Sequence, residues 1–222
     1  MSDLLDPDGD AVESWRVFRI MSEFVEGFEL LRKYGLAASF FGSARLTPED
    51  EYYQQSEQLA AKLSEYGFAI ITGGGPGIME AANVGAFRVG GKSIGFNIKL
   101  PMEQKLNPYV TESQDFNFFF SRKVMLAFAS EVYIFFPGGF GTLDEFFEMI
   151  TLIQTKKIAR VPIVLYGRDY WQPLIDFFKQ DMLVKHKTIS KEDLDLFQLV
   201  DSVDEAYEYI TEEAKTGKVC QV

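Results

Sequence analysis

The sequence predicts an α/β fold: an open, doubly wound, mainly parallel sheet with helices on both faces. Three observations carry this. Short apolar runs alternate with helical patterns from Leu36 to Lys215, the order that builds strand–helix–strand units. The runs lack the polar alternation of half-exposed strands, as strands covered on both faces do. Glycine clusters follow several runs where a strand must turn into a helix, and a parallel sheet gathers such loops along one edge.

The first element is a helix from Glu13 to Tyr34, an N-terminal extension at about residues 13–34, with Trp15, Phe18, Met21, Val25, Phe28 and Leu31 spaced by three and four. Such a stripe faces a core or a subunit interface. Strands are expected at Leu36 to Phe41, Phe68 to Thr72, Ser93 to Ile98, Glu131 to Phe136, Val161 to Tyr166 and Phe197 to Val200. Helices are expected near Glu49 to Glu65, Gly77 to Val89, Ser121 to Ala129, Thr142 to Lys156, Tyr170 to Asp181 and Ser202 to Lys215. Asn107 to Asn117 reads as a loop or a short strand lining one edge. No repeat, low-complexity stretch or linker divides the chain, so residues 1–222 read as a single Rossmann-like domain.

Composition narrows the function. The 222 residues are 47% hydrophobic and 25% charged, enough for one real core. One histidine, His186, and one cysteine, Cys220, are too few for a zinc or iron site built from such side chains, and an internal disulfide is impossible. His186 stands between Lys185 and Lys187 and reads as a solvated residue, not as the base of a Ser-His-Asp triad. A net charge of −11 repels a phosphate backbone, which argues against nucleic acid as a partner. Met1 to Asp10 carries four aspartates and no apolar core, unlike a signal peptide, and no apolar run approaches the roughly 18 residues of a membrane span. The expectation is a cytoplasmic protein away from membranes.

Three loops leave strand ends on the same edge: Gly42-Ser43-Ala44-Arg45, Gly73-Gly74-Gly75-Pro76-Gly77, and Pro137-Gly138-Gly139-Phe140-Gly141-Thr142. Glycine allows close backbone approach, and the following helix offers unpaired N–H groups and the positive end of its dipole. Two such loops in one crevice make a phosphate cradle that needs no net positive charge. Tight strand-to-helix turns would explain either loop alone. A dinucleotide fingerprint would need glycine where Ile78 or Asp144 stands, and a Walker loop ending at Gly91-Lys92-Ser93 would need it at Ala86. The ligand indicated therefore carries one phosphate.

Together, Gly73-Gly74-Gly75-Pro76-Gly77-Ile78-Met79-Glu80, Arg122-Lys123 and Pro137-Gly138-Gly139-Phe140-Gly141-Thr142-Leu143-Asp144-Glu145 resemble the Lonely Guy (LOG) family of nucleoside 5′-monophosphate phosphoribohydrolases, often labelled lysine decarboxylases. The resemblance spans roughly Leu36 to Ile210. It implies hydrolysis of the N-glycosidic bond of a nucleoside monophosphate to free base and ribose 5-phosphate, with no metal or organic cofactor, in a homodimer or higher homo-oligomer. It implies Arg122 and Glu145 as the catalytic pair. Ser43, Gly74, Gly75, Gly77, Met79, Glu80, Lys123, Gly138, Gly139, Gly141 and Thr142 would line the phosphate and nucleotide site. Phe119-Phe120 stand where the plant-type pattern has Met-His, and Glu80 replaces the last glycine of its first loop. These departures point toward AMP-like nucleotides, with cytokinin riboside 5′-monophosphate the other candidate substrate.

The chemistry fits that pair. Loss of the base builds positive charge on ribose and negative charge on the leaving group, which rewards one carboxylate and one cation in a dry pocket. Each residue also has a structural reading. Thr142-x-x-Glu145 is a capping-box spacing, and an arginine opening a helix is usually solvated, although the aromatic run Phe116 to Phe120 predicts burial for this one. A non-catalytic binder or carrier of a phosphorylated nucleotide or pterin remains the alternative, since a cradle alone does not distinguish holding from cutting.

Overall fold

The computed structural model describes residues 10–99 and 106–215, with side chains from residue 15. The acidic N-terminus up to Gly9 and Cys220 lie outside the described residues. The elements are α1 (Asp10–Leu31), β1 (Ala37–Phe41), α2 (Glu51–Tyr66), β2 (Ala69–Thr72), α3 (Ile78–Arg88), β3 (Ser93–Ile98), β4 (Glu112–Phe116) and α4 (Phe119–Ala127). They continue with β5 (Val132–Phe135), α5 (Phe140–Gln154), β6 (Ile163–Tyr166), α6 (Arg168–Phe177), β7 (Gln198–Val200) and α7 (Val203–Lys215). The strands form one sheet in the order β4-β3-β2-β1-β5-β6-β7, every pair parallel.

Two apolar layers cover the sheet, because side chains alternate faces along each strand. Phe40, Ile70, Ile134 and Val164 pack with Leu59 and Leu63 of α2, Ala82 of α3 and Ile210 of α7. Phe41, Ile71, Phe96 and Phe135 pack on the opposite face with Met125 of α4, Phe146 of α5 and Trp171 of α6. The chain runs from β1 outward to β4 and returns to place β5 on the other side of β1. That reversal makes the carboxyl ends of β1 and β5 the topological switch point, where such sheets bind ligands.

Three elements refine the sequence expectation. The segment read as a loop or edge strand is the edge strand β4, whose polar Glu-Ser-Gln-Asp-Phe pattern reflects partial exposure. Helix α6 carries Pro173 and runs on into a π-helical turn, Phe178–Lys185, closed by the His186 amide on the Asp181 carbonyl at 2.8 Å. In α1, Glu23, Gly27 and Leu30 face the body of the protein, while the stripe of Trp15, Phe18, Met21, Val25 and Phe28 is exposed. The apolar stripe is therefore not core, except for Leu31 at its end, which packs against the apolar layer under α4 and α5. His186 is exposed, as its neighbours suggested, and no helix among the described residues is long and apolar enough to cross a membrane.

Helices α2 and α3 pack closely because Gly85 faces the α2 backbone; a Cβ there would collide with the Glu57 carbonyl. Gly85→Ala gains about 1 kcal/mol of helix propensity but loses about 1–3 kcal/mol to overpacking against a backbone that cannot yield. The expected result is a lower midpoint in denaturant unfolding, with the slope unchanged.

Candidate active site

The three glycine loops meet. The Ser43 amide donates to the Pro137 carbonyl at 2.9 Å, and the Ser43 carbonyl accepts from the Ile78 amide at 3.0 Å, so the loop after β1 ties the starts of α3 and α5 together. Gly77 has φ +72°, and a side chain there would strike Ser43 and Ala44 as well as strain the backbone. Gly138 packs against the Thr142 hydroxyl and Gly42, while Gly139 and Gly141 face open space. Helix α5 begins at Phe140, with Gly139 as N-cap and no side-chain cap. The amides of Phe140, Gly141 and Thr142 thus lie in a first turn with no intrahelical acceptor, available to an anion.

This corrects the capping-box reading of Glu145. Because α5 starts two residues before Thr142, Glu145 sits within the helix and its carboxyl is free for other work. It is buried, 9% exposed. Desolvation and the nearby Glu148 push its pKa up to about 7, against the opposing charges of Lys123 and Arg122.

Arg122 enters from α4. Its Nε donates to the Phe96 carbonyl of β3 at 2.8 Å, and its guanidinium lies over Gly73, beside the Met79 sulfur. Burial pulls its pKa below the ordinary value while Glu145 opposes the shift, so the two groups share one electrostatic environment. They form no direct ion pair among the described residues. Arg122 is half-buried; of the aromatic run, Phe116 is buried while Phe119 and Phe120 are exposed, and the guanidinium lies against Gly73, Met79 and β3.

Lys123 takes a different place from the cradle. Its Nζ bonds Asp144 at 2.6 Å and approaches Glu148 at 3.4 Å. Desolvation pulls its pKa down, but the Asp144 bond and the Glu148 and Glu145 charges outweigh it, giving a net rise. Glu80, in the first turn of α3, is half-buried. It reaches Tyr53 of α2 electrostatically, adding to the burial that pushes that phenol up to about 12.

Several supporting residues were not singled out from the sequence. Asn107 donates its amide to the Gly74 carbonyl at 2.9 Å and its Nδ2 to the Gly74 and Gly75 carbonyls at 3.2 Å each and to Asn83 Oδ1 at 2.9 Å. Thr72 Oγ1 donates to the same Asn83 oxygen at 2.7 Å and accepts from the Gly74 amide at 2.9 Å. This buried network fixes the first glycine loop. The Tyr170 hydroxyl donates to the Gly138 carbonyl at 2.5 Å and braces the other loop. Asn107-Pro108 was a visible turn signal; nothing local marked Asn83 or Tyr170.

Gly73 needs no unusual φ, yet a Cβ there would occupy the space of the guanidinium. Gly73→Ala should keep the fold and displace Arg122, lowering turnover by about tenfold or more, since ångström-scale misplacement costs up to about 10²-fold. Steady-state kinetics with circular dichroism as a folding control checks this.

The geometry defines an α/β protein with a Rossmann-like sheet, a helix start with unpaired amides at its switch point, and a buried acid and a half-buried guanidinium that share one electrostatic environment. The chain belongs to the family described as possible lysine decarboxylase, whose model matches residues 79–210. It is 32% identical over 130 residues to a probable cytokinin riboside 5′-monophosphate phosphoribohydrolase of Oryza sativa subsp. japonica, covering 57% of this chain and 52% of that protein. It is 30% identical over 145 residues to the cytokinin riboside 5′-monophosphate phosphoribohydrolase LOG of the same organism, covering 64% and 58%. The match spans little more than half the length of these curated relatives. The fold is also that of a molybdenum cofactor carrier protein from Chlamydomonas reinhardtii, with TM-score 0.60, 20% identity, and coverage of 81% of this chain and 98% of that one.

Proposed function

We propose that this protein hydrolyses the N-glycosidic bond of an AMP-like nucleoside 5′-monophosphate, releasing the base and ribose 5-phosphate. The observation that carries the reading is the placement of half-buried Arg122 and buried Glu145 in one electrostatic environment, next to a helix start that presents free amides. In this reading Gly139, Gly141 and Thr142 hold the 5′-phosphate with their amides, and Gly138 and Ser43 keep that turn in place. Gly74, Gly75 and Gly77 shape the facing wall, and Met79 and Glu80 face the nucleotide. Lys123 acts indirectly, by steadying Asp144 and Glu148.

As the glycosidic bond lengthens, the Glu145 carboxylate stabilises the cationic sugar and takes the proton of the attacking water, and the departing base leaves with the C–N electron pair and is protonated to the neutral base. Arg122 stabilises charge that develops on the departing base and stays protonated throughout. At an effective dielectric of about 20, unit charges about 4 Å apart interact by roughly 4 kcal/mol. Realised only in the transition state, that is worth about three decades of rate.

We place the enzyme in the cytoplasm as a homo-oligomer, with the exposed apolar stripe of α1 as the candidate contact surface. The test of function is incubation of the purified protein with AMP and separation of the products. Adenine with ribose 5-phosphate is expected. Adenosine would assign a phosphatase, and thermal stabilisation by AMP without products would assign a binder or carrier.

A further inference from the structure

Helix α4 has nine residues and carries Arg122, yet it lacks a cap of its own: its N-cap is Phe118, with no side-chain cap bond and no acidic residue in the first turn. A carboxylate of α1 instead braces the segment around that start. Glu23, only 5% exposed, accepts the Asn117 amide at 2.7 Å and the Asn117 Nδ2 at 2.9 Å on Oε1, and the Ser121 hydroxyl on Oε2. Its carboxylate thus sits beside the start of α4, where a negative charge complements the helix dipole, and ties together the residue before the N-cap and a side chain of the first turn. The same residue is anchored through its main chain, since Gln114 Nε2 of β4 donates to the Glu23 carbonyl at 2.8 Å. A turn further along, Gly27 lets α1 pack directly on Met125 of α4.

Arg122 is the residue that this arrangement bears on. Its amide closes the first turn of α4 on the Phe118 carbonyl at 3.2 Å, and it follows Ser121 directly. The matched family segment begins at residue 79, so Glu23 lies on a helix outside it. We infer that Glu23 is a positioning residue: by tethering Asn117 and Ser121 from α1, it holds the start of α4, and with it Arg122, where the guanidinium can meet the reacting nucleotide. The N-terminal helix is thereby a working part of the site and more than a surface for assembly. This rests on the proposed role of Arg122.

The test compares Glu23→Ala, Glu23→Gln and Ser121→Ala in AMP turnover, together with amide hydrogen exchange across residues 118–127. Glu23→Ala is expected to lower kcat at least tenfold with KM within threefold, and to speed exchange at the Arg122 amide. Glu23→Gln keeps an oxygen acceptor for Asn117 and should recover activity to within threefold of the parent. Ser121→Ala removes one bond and should fall between them, which keeps the inference testable if Glu23→Ala does not fold. A purely structural Glu23 would lower the melting temperature while leaving kcat per folded molecule unchanged, and that result overturns the inference. Should the parent protein not hydrolyse AMP, the proposed function fails separately. The tether is then judged by exchange alone: faster exchange at the Arg122 amide in Glu23→Ala sustains it, and unchanged exchange overturns it.

Discussion

Glu145→Gln is expected to give a folded protein that turns over AMP about 10²–10³-fold more slowly and yet resists unfolding better above neutral pH. The rate loss follows from removing the negative charge opposite the developing sugar cation. The stability gain follows from burial, which lifts the carboxyl to about 7 from an ordinary value of 4.5. Between those values the folded state binds a proton that the unfolded state has released, so stability falls as pH rises through that window. The full difference is about 3 kcal/mol at most, and glutamine, which cannot ionise, escapes it. Urea unfolding of both proteins at pH 5 and pH 8 should show curves that converge at the lower pH and separate at the higher. Parent kcat/KM should rise through about pH 7 as Glu145 ionises, whereas the residual rate of the variant should show no such limb. A parent rate independent of pH across this range would remove Glu145 from the chemistry.

The second large effect is expected at Arg122. Arg122→Ala should lower kcat by about 10³-fold, the equivalent of roughly 4 kcal/mol. It also leaves the Phe96 carbonyl without its Nε donor, at a stability cost of about 1–3 kcal/mol. Because the guanidinium opposes the upward shift of Glu145, its removal should carry the acidic limb of the residual pH profile above 7. Arg122→Lys restores charge but not the planar fork that spans Phe96 and Gly73, so only partial recovery is expected. Equal loss of KM and kcat control over the series, with no movement of the pH limb, would separate the two residues functionally.

The fold was legible wherever burial on both faces made the sequence continuous in its apolar character. Strands β1, β2, β3, β5 and β6 are buried along their whole length, and their runs stand out for that reason. Strand β4 was ambiguous because an edge strand with polar Ser113, Gln114 and Asp115 has no such signature. The outward stripe of α1 shows the limit of periodicity: spacing reveals a face but not which way it turns, and the side turned inward is the one bearing Glu23. At the site, the glycine loops were legible because their backbone demands are local. Asn83, Asn107 and Tyr170 were not, since each acts through a bond to a loop distant in sequence. The misplaced start of α5 has a similar cause, as Gly139 can begin a helix without the hydroxyl cap that Thr142 advertised.

The position of β1 has a bearing on how the chain comes to be assembled. Its two neighbours are β2, which follows closely, and β5, whose Val132 pairs with Ala38 only after three further strands have been made. During ribosomal synthesis one side of the most sheltered strand therefore waits with its amides and carbonyls unmatched until the second half of the polypeptide emerges. Long-range parallel pairing of this kind is slow, and such waiting edges invite aggregation. Chaperone supply and growth temperature should therefore govern the yield of native protein more strongly than its final stability does.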